Sequence, residues 1–205
     1  MPGAVFLDRD GVLCENRPAY VKAWKEFQWI PGALEALCIF ARLDMPVVMV
    51  TNQSAINRGL TTLDVVHNLH EGMRLAIRDA GGRLDAVYVC PHRPDEGCVC
   101  RKPGVLLFRS AAVELGLDLG GSYLVGDSLS DLQAGWDLNL RVFLVRTGLG
   151  EQTAARLDGA ARRVHIVRDV LEAARWIETT YREENGLDRD LADATTSASL
   201  GGDAV

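Results

Sequence analysis

The sequence lacks a long hydrophobic run. None of its apolar stretches approaches the roughly 20 residues that a helix needs to cross a bilayer. The N-terminus, MPGAVFLDRDGV, has neither the basic region nor the small-residue cleavage site of a secretory signal, and its apolar run ends at once in charged residues. These absences argue against a membrane protein and predict a cytoplasmic one.

An excess of positive charge is also absent. The 205 residues include 22 lysines and arginines against 28 aspartates and glutamates, which gives a formal net charge of −6. Because binding to a phosphate backbone needs a positive surface and the chain has no basic cluster, nucleic acid is not expected as a partner. A small anionic substrate is compatible with this charge, since one local pocket can be positive on an acidic protein.

Cysteine is scarce, and its number is odd. Three of the five cysteines and one of the four histidines fall in CPHRPDEGCVCRKP, residues 90–103. A chain of this length buries a core without cross-links, and clustered cysteines in a reducing compartment are more often metal ligands or redox groups than disulfides. The spacing C-x-H-x5-C-x-C suits tetrahedral zinc, and a closed set of four ligands favours a structural role over a catalytic or redox one. The candidate ligands are Cys90, His92, Cys98 and Cys100.

Short apolar runs alternate with helical patterns along the chain. This alternation predicts an α/β fold, a parallel sheet with helices on both faces, in which ligands lie beyond the carboxyl ends of the strands. We expect one domain over residues 1–182 and a small, polar, disordered tail over 183–205. The expected strands are AVFL (4–7), PVVMV (46–50), DAVYVC (85–90), SYLVG (122–126) and RVFLV (141–145), and the expected helices begin near residues 31, 61, 102, 127 and 168.

Two aspartates follow the first expected strand. Asp8 and Asp10 are two residues apart in DRDGV and leave the strand toward the same side. A solvated turn with Gly11 at the bend is one explanation. The alternative is phosphoryl transfer, in which Asp8 is the nucleophile and Asp10 protonates the leaving oxygen and later activates water. Because two carboxylates repel a phosphate, this chemistry requires a cation, and magnesium suits oxygen ligands.

Polar residues also follow the other expected strands. Thr51 could stabilise charge on phosphoryl oxygens, although turn residues are common at such a position. Lys102 precedes Pro103, a favoured first residue of a helix, and would neutralise both a carboxylate and a phosphoryl group. Asp127 and Asp131 lie four apart at a helix start, where acidic residues also complement the helix dipole. In the functional interpretation Asp127 completes the magnesium site and Asp131 supports it.

Together these motifs resemble those of the haloacid dehalogenase superfamily, and within it the small histidinol-phosphate and heptose-bisphosphate phosphatases. The resemblance covers roughly residues 4–150 and consists, in chain order, of DxDG, a Thr-Asn after the second strand, a Lys before a helix, and GDxxxD. It implies a Rossmann-like sheet, a magnesium-dependent phosphatase with an aspartyl-phosphate intermediate, and a structural zinc loop before Arg-Lys-Pro. The implied roles are nucleophile for Asp8, acid/base for Asp10, phosphoryl stabilisation for Thr51 and Lys102, and magnesium coordination by Asp8, the Asp10 carbonyl and Asp127.

The same resemblance indicates the substrate. The chain has no obvious room for a large cap domain, so we expect an open site shaped by the zinc loop and by ENRPAYV, residues 15–21. TNQSAINRG resembles the heptose enzymes, which cleave D-glycero-D-manno-heptose 1,7-bisphosphate at C7, and implies that Arg101 recognises the substrate. The other expected substrate contacts are Asn16, Arg17, Tyr20, Asn52, Gln53, Ser54, Arg58 and Ser128, of which Arg58 is expected from its loop position, where a solvated arginine is the alternative.

Two departures from the heptose pattern leave histidinol phosphate open as the substrate. Gly104 follows RKP directly, as in the histidinol-phosphate group, and Ser128 follows Asp127 where the heptose enzymes often carry lysine. A more remote alternative is a zinc-loop binding module on an inactive phosphatase fold, although each catalytic position holds a chemically competent residue. We expect a monomer, because the sequence shows no long apolar face outside the core.

Overall fold

The fold is built around one six-stranded parallel sheet. The computed structural model describes residues 1–157 and 164–187. The strand order is β3-β2-β1-β4-β5-β6, so the first and fourth strands lie side by side at the centre. In such sheets, ligands bind where the strand order reverses. The strands are β1 Val5–Leu7, β2 Val47–Asn52, β3 Ala86–Cys90, β4 Tyr123–Gly126, β5 Arg141–Val145 and β6 Val164–Val167.

Helices cover both faces of the sheet. They are α1 Ala33–Ala41, α2 Leu63–Asp79, α3 Leu106–Leu115, α4 Leu129–Asp137, α5 Gly150–Ala154 and α6 Val170–Glu184. Val5 and Leu7 of β1 join the core under α1, α2 and α6, whereas Phe6 joins the core under α3 and α4. A strand buried on both faces is a continuous apolar run, because its side chains alternate between the two faces. The predicted α/β class is therefore confirmed. Within the described residues, no helix is long and apolar enough to cross a membrane.

The connections between the first three strands are small, in agreement with the expected lack of a large cap domain. A loop, a short 3-10 turn at Trp24–Glu26 and α1 join β1 to β2, and a loop and α2 join β2 to β3. The first loop is tied to the body, since Glu15 N donates to Gln28 O at 2.9 Å and Ile30 N donates to Leu13 O at 3.0 Å. The carboxyl edge of the sheet is thus left open.

Several boundaries differ from the sequence-based expectation. Pro103 is not the first residue of a helix: α3 begins at Leu106, because Gly104 N donates to Arg101 O at 2.6 Å and closes a turn first. The five-residue α5 and β6, a four-residue edge strand whose apolar run is interrupted by His165, were not predicted. Helix α6 extends past the expected domain end at 182, and residues 188–205 of the expected tail lie outside the described residues.

Candidate active site

A cavity of about 370 Å³ opens at the carboxyl edge of the sheet, next to the ends of β1, β2 and β4. Acidic and cationic side chains from segments far apart in the chain share its wall. The lining residues are Asp8, Asp10, Asn16, Arg17, Pro18, Tyr20, Asn52, Ser54, Arg58, Pro94, Arg101, Lys102, Asp127, Ser128, Ser130 and Leu149.

Asp8 follows β1 directly and lies at the floor of the cavity. Its backbone N–H donates to Val125 O at 3.0 Å, which extends the pairing of β1 with β4 to this residue. Its Oδ1 accepts from the Arg9 N–H at 2.7 Å and lies 2.9 Å from Lys102 Nζ. Burial raises the pKa of Asp8 to about 6, against the opposing charge of Lys102. The carboxyl group is thus desolvated and held through one of its two oxygens.

Lys102 reaches the same floor from the loop after β3. The Asn52 side chain clamps its backbone, donating to Lys102 O at 3.2 Å and accepting from Lys102 N at 3.1 Å. The Nζ atom lies 2.6 Å from Asp131 Oδ1 and donates to Val50 O at 2.8 Å, besides its contact with Asp8. Burial disfavours the charge of Lys102, but the Asp131 and Asp8 carboxylates outweigh burial and raise its pKa. The ammonium group therefore stays charged in the cavity floor.

The GDSLSD segment brings two more carboxyl groups to the floor. Asp131 completes a capping box at the start of α4, where its Oδ2 accepts from Ser128 N at 3.1 Å and from Ser128 Oγ at 2.5 Å. Asp131 therefore uses one oxygen for the helix cap and the other for Lys102. Asp127 Oδ2 accepts from Leu149 N at 2.8 Å. Burial, followed by the charges of Asp8 and Asp131, raises the pKa of Asp127 to about 8.

Two glycines make room for Asp127. Gly11 has φ +83° and Gly148 has φ +59°, and a Cβ on either residue would clash with Asp127 Oδ2. Thr147 Oγ1 donates to Gly11 O at 2.6 Å and so joins the two loops. The left-handed conformation also favours glycine. The backbone angle and the nearby Asp127 carboxylate therefore both favour glycine at these two positions.

The acidic cluster fits a magnesium ion. Asp8, Asp127 and Asp131 present carboxylate oxygens within 4.8 Å of one another. Oxygen is the donor that Mg²⁺ prefers, and a cation among these groups would favour the ionised carboxylates against the burial and the neighbouring negative charges that raise the pKa values of Asp8 and Asp127. Because Asp131 is engaged by Ser128 and Lys102, Asp8 and Asp127 are the carboxylates best placed to hold it.

Asp10 stands in the cavity wall and is held from behind. Arg9 Nη2 donates to both of its oxygens, at 2.9 and 2.8 Å, and Gln53 Nε2 donates to Oδ2 at 2.7 Å. The Cys14 thiol lies 3.5 Å from Oδ1. Burial favours the neutral acid, but Arg9 outweighs burial and lowers the pKa of Asp10. The carboxyl group is thus ionised before a substrate enters.

Gln53 departs from its expected role, since it is buried and does not line the cavity. Its Oε1 accepts from Arg9 Nη2 at 2.9 Å, and its Nε2 donates to Asp10 and to Thr51 Oγ1 at 2.9 Å. Thr51 is also fully buried and lies behind the cavity wall. Successive side chains at a strand end alternate, so Asn52 faces the cavity whereas Thr51 and Gln53 turn inward.

The other predicted substrate contacts lie on the cavity wall. Arg101 Nη1 donates to His92 O at 3.1 Å, which anchors the arginine on the cysteine loop. Ser54 Oγ lies 3.4 Å from the Tyr20 hydroxyl, so the first loop meets the end of β2. The predicted contacts that line the cavity are Asn16, Arg17, Tyr20, Asn52, Ser54, Arg58, Arg101 and Ser128.

The four expected zinc ligands converge at one side of this cavity. The three Sγ atoms are 3.3 to 3.7 Å apart, and His92 Nδ1 lies 3.6 Å from Cys90 Sγ and 3.2 Å from Cys100 Sγ. Sulfur ligands at about 2.3 Å from a tetrahedral zinc ion would be about 3.8 Å apart, so the cluster has nearly the right size. Arg101 N donates to Cys98 Sγ at 3.3 Å, which connects the cluster to the cavity wall.

The residues behind Asp10 are not among those predicted from the sequence. Arg9 is 1% exposed and its Nη1 lies 3.2 Å from Nε2 of His70, a buried residue of α2. Arg9 stands between two predicted site residues in DRDG, and this position was a usable signal because its guanidinium group pairs with the Asp10 carboxylate. Nothing local marks His70, which is 61 positions from Arg9. Pro94, Ser130 and Leu149 also line the cavity without having been predicted.

Known proteins of similar sequence place the chain in a family. Residues 99–173 match the HAD-hydrolase-like family model. The D-glycero-beta-D-manno-heptose-1,7-bisphosphate 7-phosphatase of Bordetella bronchiseptica is 41% identical over 170 residues, which are 83% of this chain and 94% of the relative. The chain belongs to this phosphatase family. A heptose-bisphosphate phosphatase of Pseudomonas putida is 36% identical over 171 residues, 83% of this chain and 97% of the relative.

Solved structures of heptose-bisphosphate phosphatases share the fold. The crystal structure of the D,D-heptose 1,7-bisphosphate phosphatase from B. bronchiseptica, complexed with magnesium and phosphate, has a TM-score of 0.82 and 37% identity and covers 87% of this chain and 99% of that chain. The enzyme from Burkholderia thailandensis has a TM-score of 0.65 and 33% identity, with 84% and 96% coverage. The predicted haloacid dehalogenase fold and phosphatase class are thereby confirmed.

Proposed function

We propose that the protein is a Mg²⁺-dependent phosphatase that removes the C7 phosphate of D-glycero-D-manno-heptose 1,7-bisphosphate. The observation that carries this proposal is the charge-paired floor of the cavity, where Asp8 lies beside both Lys102 and Asp127, with Asp10 in the adjoining wall. The relatives named for this activity support the choice of substrate.

In the first step Asp8 attacks the C7 phosphorus. Arg9 N–H and Lys102 both engage Oδ1, so Oδ2 is the oxygen that forms the new bond to phosphorus. As the bond from phosphorus to the C7 oxygen breaks, Asp10 gives a proton to that oxygen. Asp10 takes this proton from the solvent as the substrate enters, because a negatively charged phosphate nearby favours the neutral carboxyl group.

In the second step water releases the phosphate from Asp8. Asp10, now ionised, takes a proton from the water molecule as the water oxygen bonds to phosphorus. The bond between Asp8 and phosphorus breaks, its electron pair returns to the carboxylate, and inorganic phosphate leaves. Lys102 opposes the negative charge that builds up in both steps. When held by Asp8, Asp127 and the Asp10 carbonyl, Mg²⁺ supplies the charge neutralisation that lets a phosphate approach two carboxylates.

The charges of the cavity favour a bisphosphate over histidinol phosphate. Arg17, Arg58 and Arg101 line the wall and offer charge-assisted hydrogen bonds to a second phosphate and to sugar hydroxyls. Histidinol phosphate carries an amine that is cationic at neutral pH, which these arginines repel. It stays the second candidate because the short RKPG join resembles that of its group and because Ser128 stands where the heptose enzymes often carry lysine.

We also propose a structural zinc site, a cytoplasmic location and a monomeric state. The Cys90, His92, Cys98 and Cys100 cluster would hold a structural zinc ion and thereby keep Arg101 and Lys102 against the cavity. All five cysteines are unpaired, which supports a reducing compartment such as the cytoplasm. We propose a monomer without a nucleic-acid or membrane partner.

The deciding experiment measures Mg²⁺-dependent phosphate release from both anomers of heptose 1,7-bisphosphate and from histidinol phosphate. We expect a strong preference for a heptose anomer and no release by Asp8→Asn, which lacks the nucleophile but keeps its zinc content and fold. Asp79→Asn, at an exposed position, is the matched control with full activity. A preference for histidinol phosphate would overturn the proposed substrate, and turnover by Asp8→Asn would overturn the phosphatase mechanism.

A further inference from the structure

A buried arginine lies directly behind the proposed acid/base. Arg9 stands between Asp8 and Asp10 in the chain, yet its side chain turns into the core and is 1% exposed. Burying a cation costs free energy unless its donors are paired, and Arg9 Nε has no hydrogen-bond partner among the described residues. The contacts that Arg9 does make concentrate on one carboxyl group, since its Nη2 donates to both oxygens of Asp10.

His70 of α2 holds the opposite side of the guanidinium group. Arginine has only donors, so the 3.2 Å contact between Arg9 Nη1 and His70 Nε2 requires that Nε2 accept. The proton of the neutral ring must then lie on Nδ1. Burial, followed by the charge of Arg9, lowers the pKa of His70 to about 3, so the ring is neutral throughout the physiological range. His70 is therefore a permanent acceptor that orients Arg9.

Gln53, the residue after β2, contacts the same two groups. Its Oε1 accepts from Arg9 Nη2 at 2.9 Å and its Nε2 donates to Asp10 Oδ2 at 2.7 Å, so the charges of its partners determine which way the amide points. The Asp10 carboxylate thus has a donor on each oxygen from Arg9 and a second donor on Oδ2 from Gln53. These contacts restrict its rotation while leaving it in the cavity wall.

We infer that His70, Arg9 and Gln53 form a buried frame that positions the Asp10 carboxylate for proton transfer, with His70 as the outer anchor. They are positioning residues, since none of them lines the cavity. The inference rests on the proposed function, in which Asp10 protonates the leaving oxygen. Misplacement of a catalytic group by about 1 Å costs up to about 10²-fold in rate, so loss of the anchor should be visible in turnover.

The test compares two leaving groups in the first turnover of the Mg²⁺-loaded enzyme. A sugar alkoxide needs the proton from Asp10, whereas nitrophenolate leaves without one. For His70→Leu we expect release of the sugar from heptose 1,7-bisphosphate to slow by about tenfold or more, with KM unchanged. The burst of nitrophenol from nitrophenyl phosphate should change by less than about twofold. His70→Gln, whose amide oxygen still accepts from Arg9, should recover most of the sugar rate.

Controls separate positioning from folding. His67→Leu alters an exposed histidine of the same helix and should change neither rate, and zinc content and thermal unfolding report on the fold. If His70→Leu does not fold, Gln53→Met tests the frame from its other side with the same two esters. Added to Asp10→Asn, His70→Leu should cause no further loss of sugar release, because both changes act through one group.

The possible outcomes distinguish a failure of the positioning role from a failure of the proposed function. Equal slowing of both esters, or a failure of folded His70→Gln to recover the sugar rate, would mean that His70 is only a structural residue. Unchanged sugar release in folded His70→Leu would overturn the frame while Asp10→Asn is still impaired. Full activity in Asp10→Asn would instead overturn the acid/base assignment itself.

Discussion

At the residue scale, Lys102 decides the charge balance of the cavity floor. Its ammonium group contacts both Asp8 and Asp131 and is almost completely buried. Removing one partner from a buried ion pair leaves the other charges uncompensated, which typically costs about 3–5 kcal/mol. The same ammonium group stands where a phosphoryl group on Asp8 would place its charge. We therefore expect Lys102 to contribute to stability and to turnover through one set of contacts.

We expect Lys102→Met to impair both properties. The substitution keeps the length of the side chain and removes the charge, so turnover with the bisphosphate should fall about 10²- to 10³-fold. The free energy of unfolding should fall by about 3 kcal/mol. Steady-state phosphate release and urea unfolding measure the two effects, with exposed Lys25→Met as the matched control. Near-parental turnover in folded Lys102→Met would contradict the role of this cation.

At the scale of elements, the loop between β3 and α3 determines where Lys102 lies. Cys98 Sγ accepts from Arg101 N at 3.3 Å, and Asn52 at the end of β2 pairs with both backbone groups of Lys102. The loop is short and largely polar, so its own side chains supply little apolar burial to hold it. A metal ion at the cysteine cluster would give it a defined conformation and thereby fix the two cationic residues that follow.

Cys98→Ser should therefore reduce turnover as well as zinc binding. We expect reduced zinc content, a lower thermal unfolding temperature and reduced turnover, because the loop that carries Lys102 loses a ligand. Cys38→Ser, outside the cluster, should leave all three unchanged. Metal analysis of the purified proteins provides the first readout. A parent protein free of zinc would contradict the structural site, and unchanged turnover in zinc-depleted Cys98→Ser would contradict the link to Lys102.

At the scale of the whole molecule, the carboxyl cluster makes stability depend on pH. The pKa values of Asp8 and Asp127, about 6 and about 8, lie above the ordinary value of 3.8. Between pH 3.8 and about pH 8, the folded protein without Mg²⁺ binds more protons at these two groups than the unfolded chain does. Its stability therefore falls as the pH rises through this range. Asp10 has a lowered pKa, so its effect on stability has the opposite sign. Its ionised form stabilises the folded protein, and this stabilisation is lost only as the pH falls toward the folded pKa of Asp10.

Magnesium should therefore stabilise the protein more at pH 8 than at pH 5. At pH 8 the ion relieves repulsion between ionised carboxylates, whereas at pH 5 it must displace protons from Asp8 and Asp127. Thermal unfolding with and without MgCl₂ at both pH values, in buffer without chelator so that zinc is retained, measures the effect. Asp127→Asn should remove most of the difference, and exposed Asp44→Asn should not. An equal shift at both pH values would contradict the assignment.

Much of the architecture was predictable because its signals are local. Runs such as VVMV and FLV are apolar on both faces, and parallel strands place their carboxyl ends at one edge. That rule predicts that Asp8 and Asp127, which follow β1 and β4, lie at the same edge of the sheet. The edge strand β6 was not predicted because it is only four residues long and His165 interrupts its apolar run. Pro103 was misplaced because a favoured helix start is also a favoured turn residue.

By itself, then, the sequence determined the fold class, the edge of the sheet that carries the site, and the residue types available there. Only the tertiary structure decided which atoms meet: Gln53 braces Asp10 instead of lining the cavity, Asn52 clamps Lys102, and His70 orients Arg9. The reason is physical. Local patterns report which residues are apolar or charged, whereas these contacts join positions 43 to 61 residues apart and depend on how α2 and the β3–α3 loop pack against the strand ends.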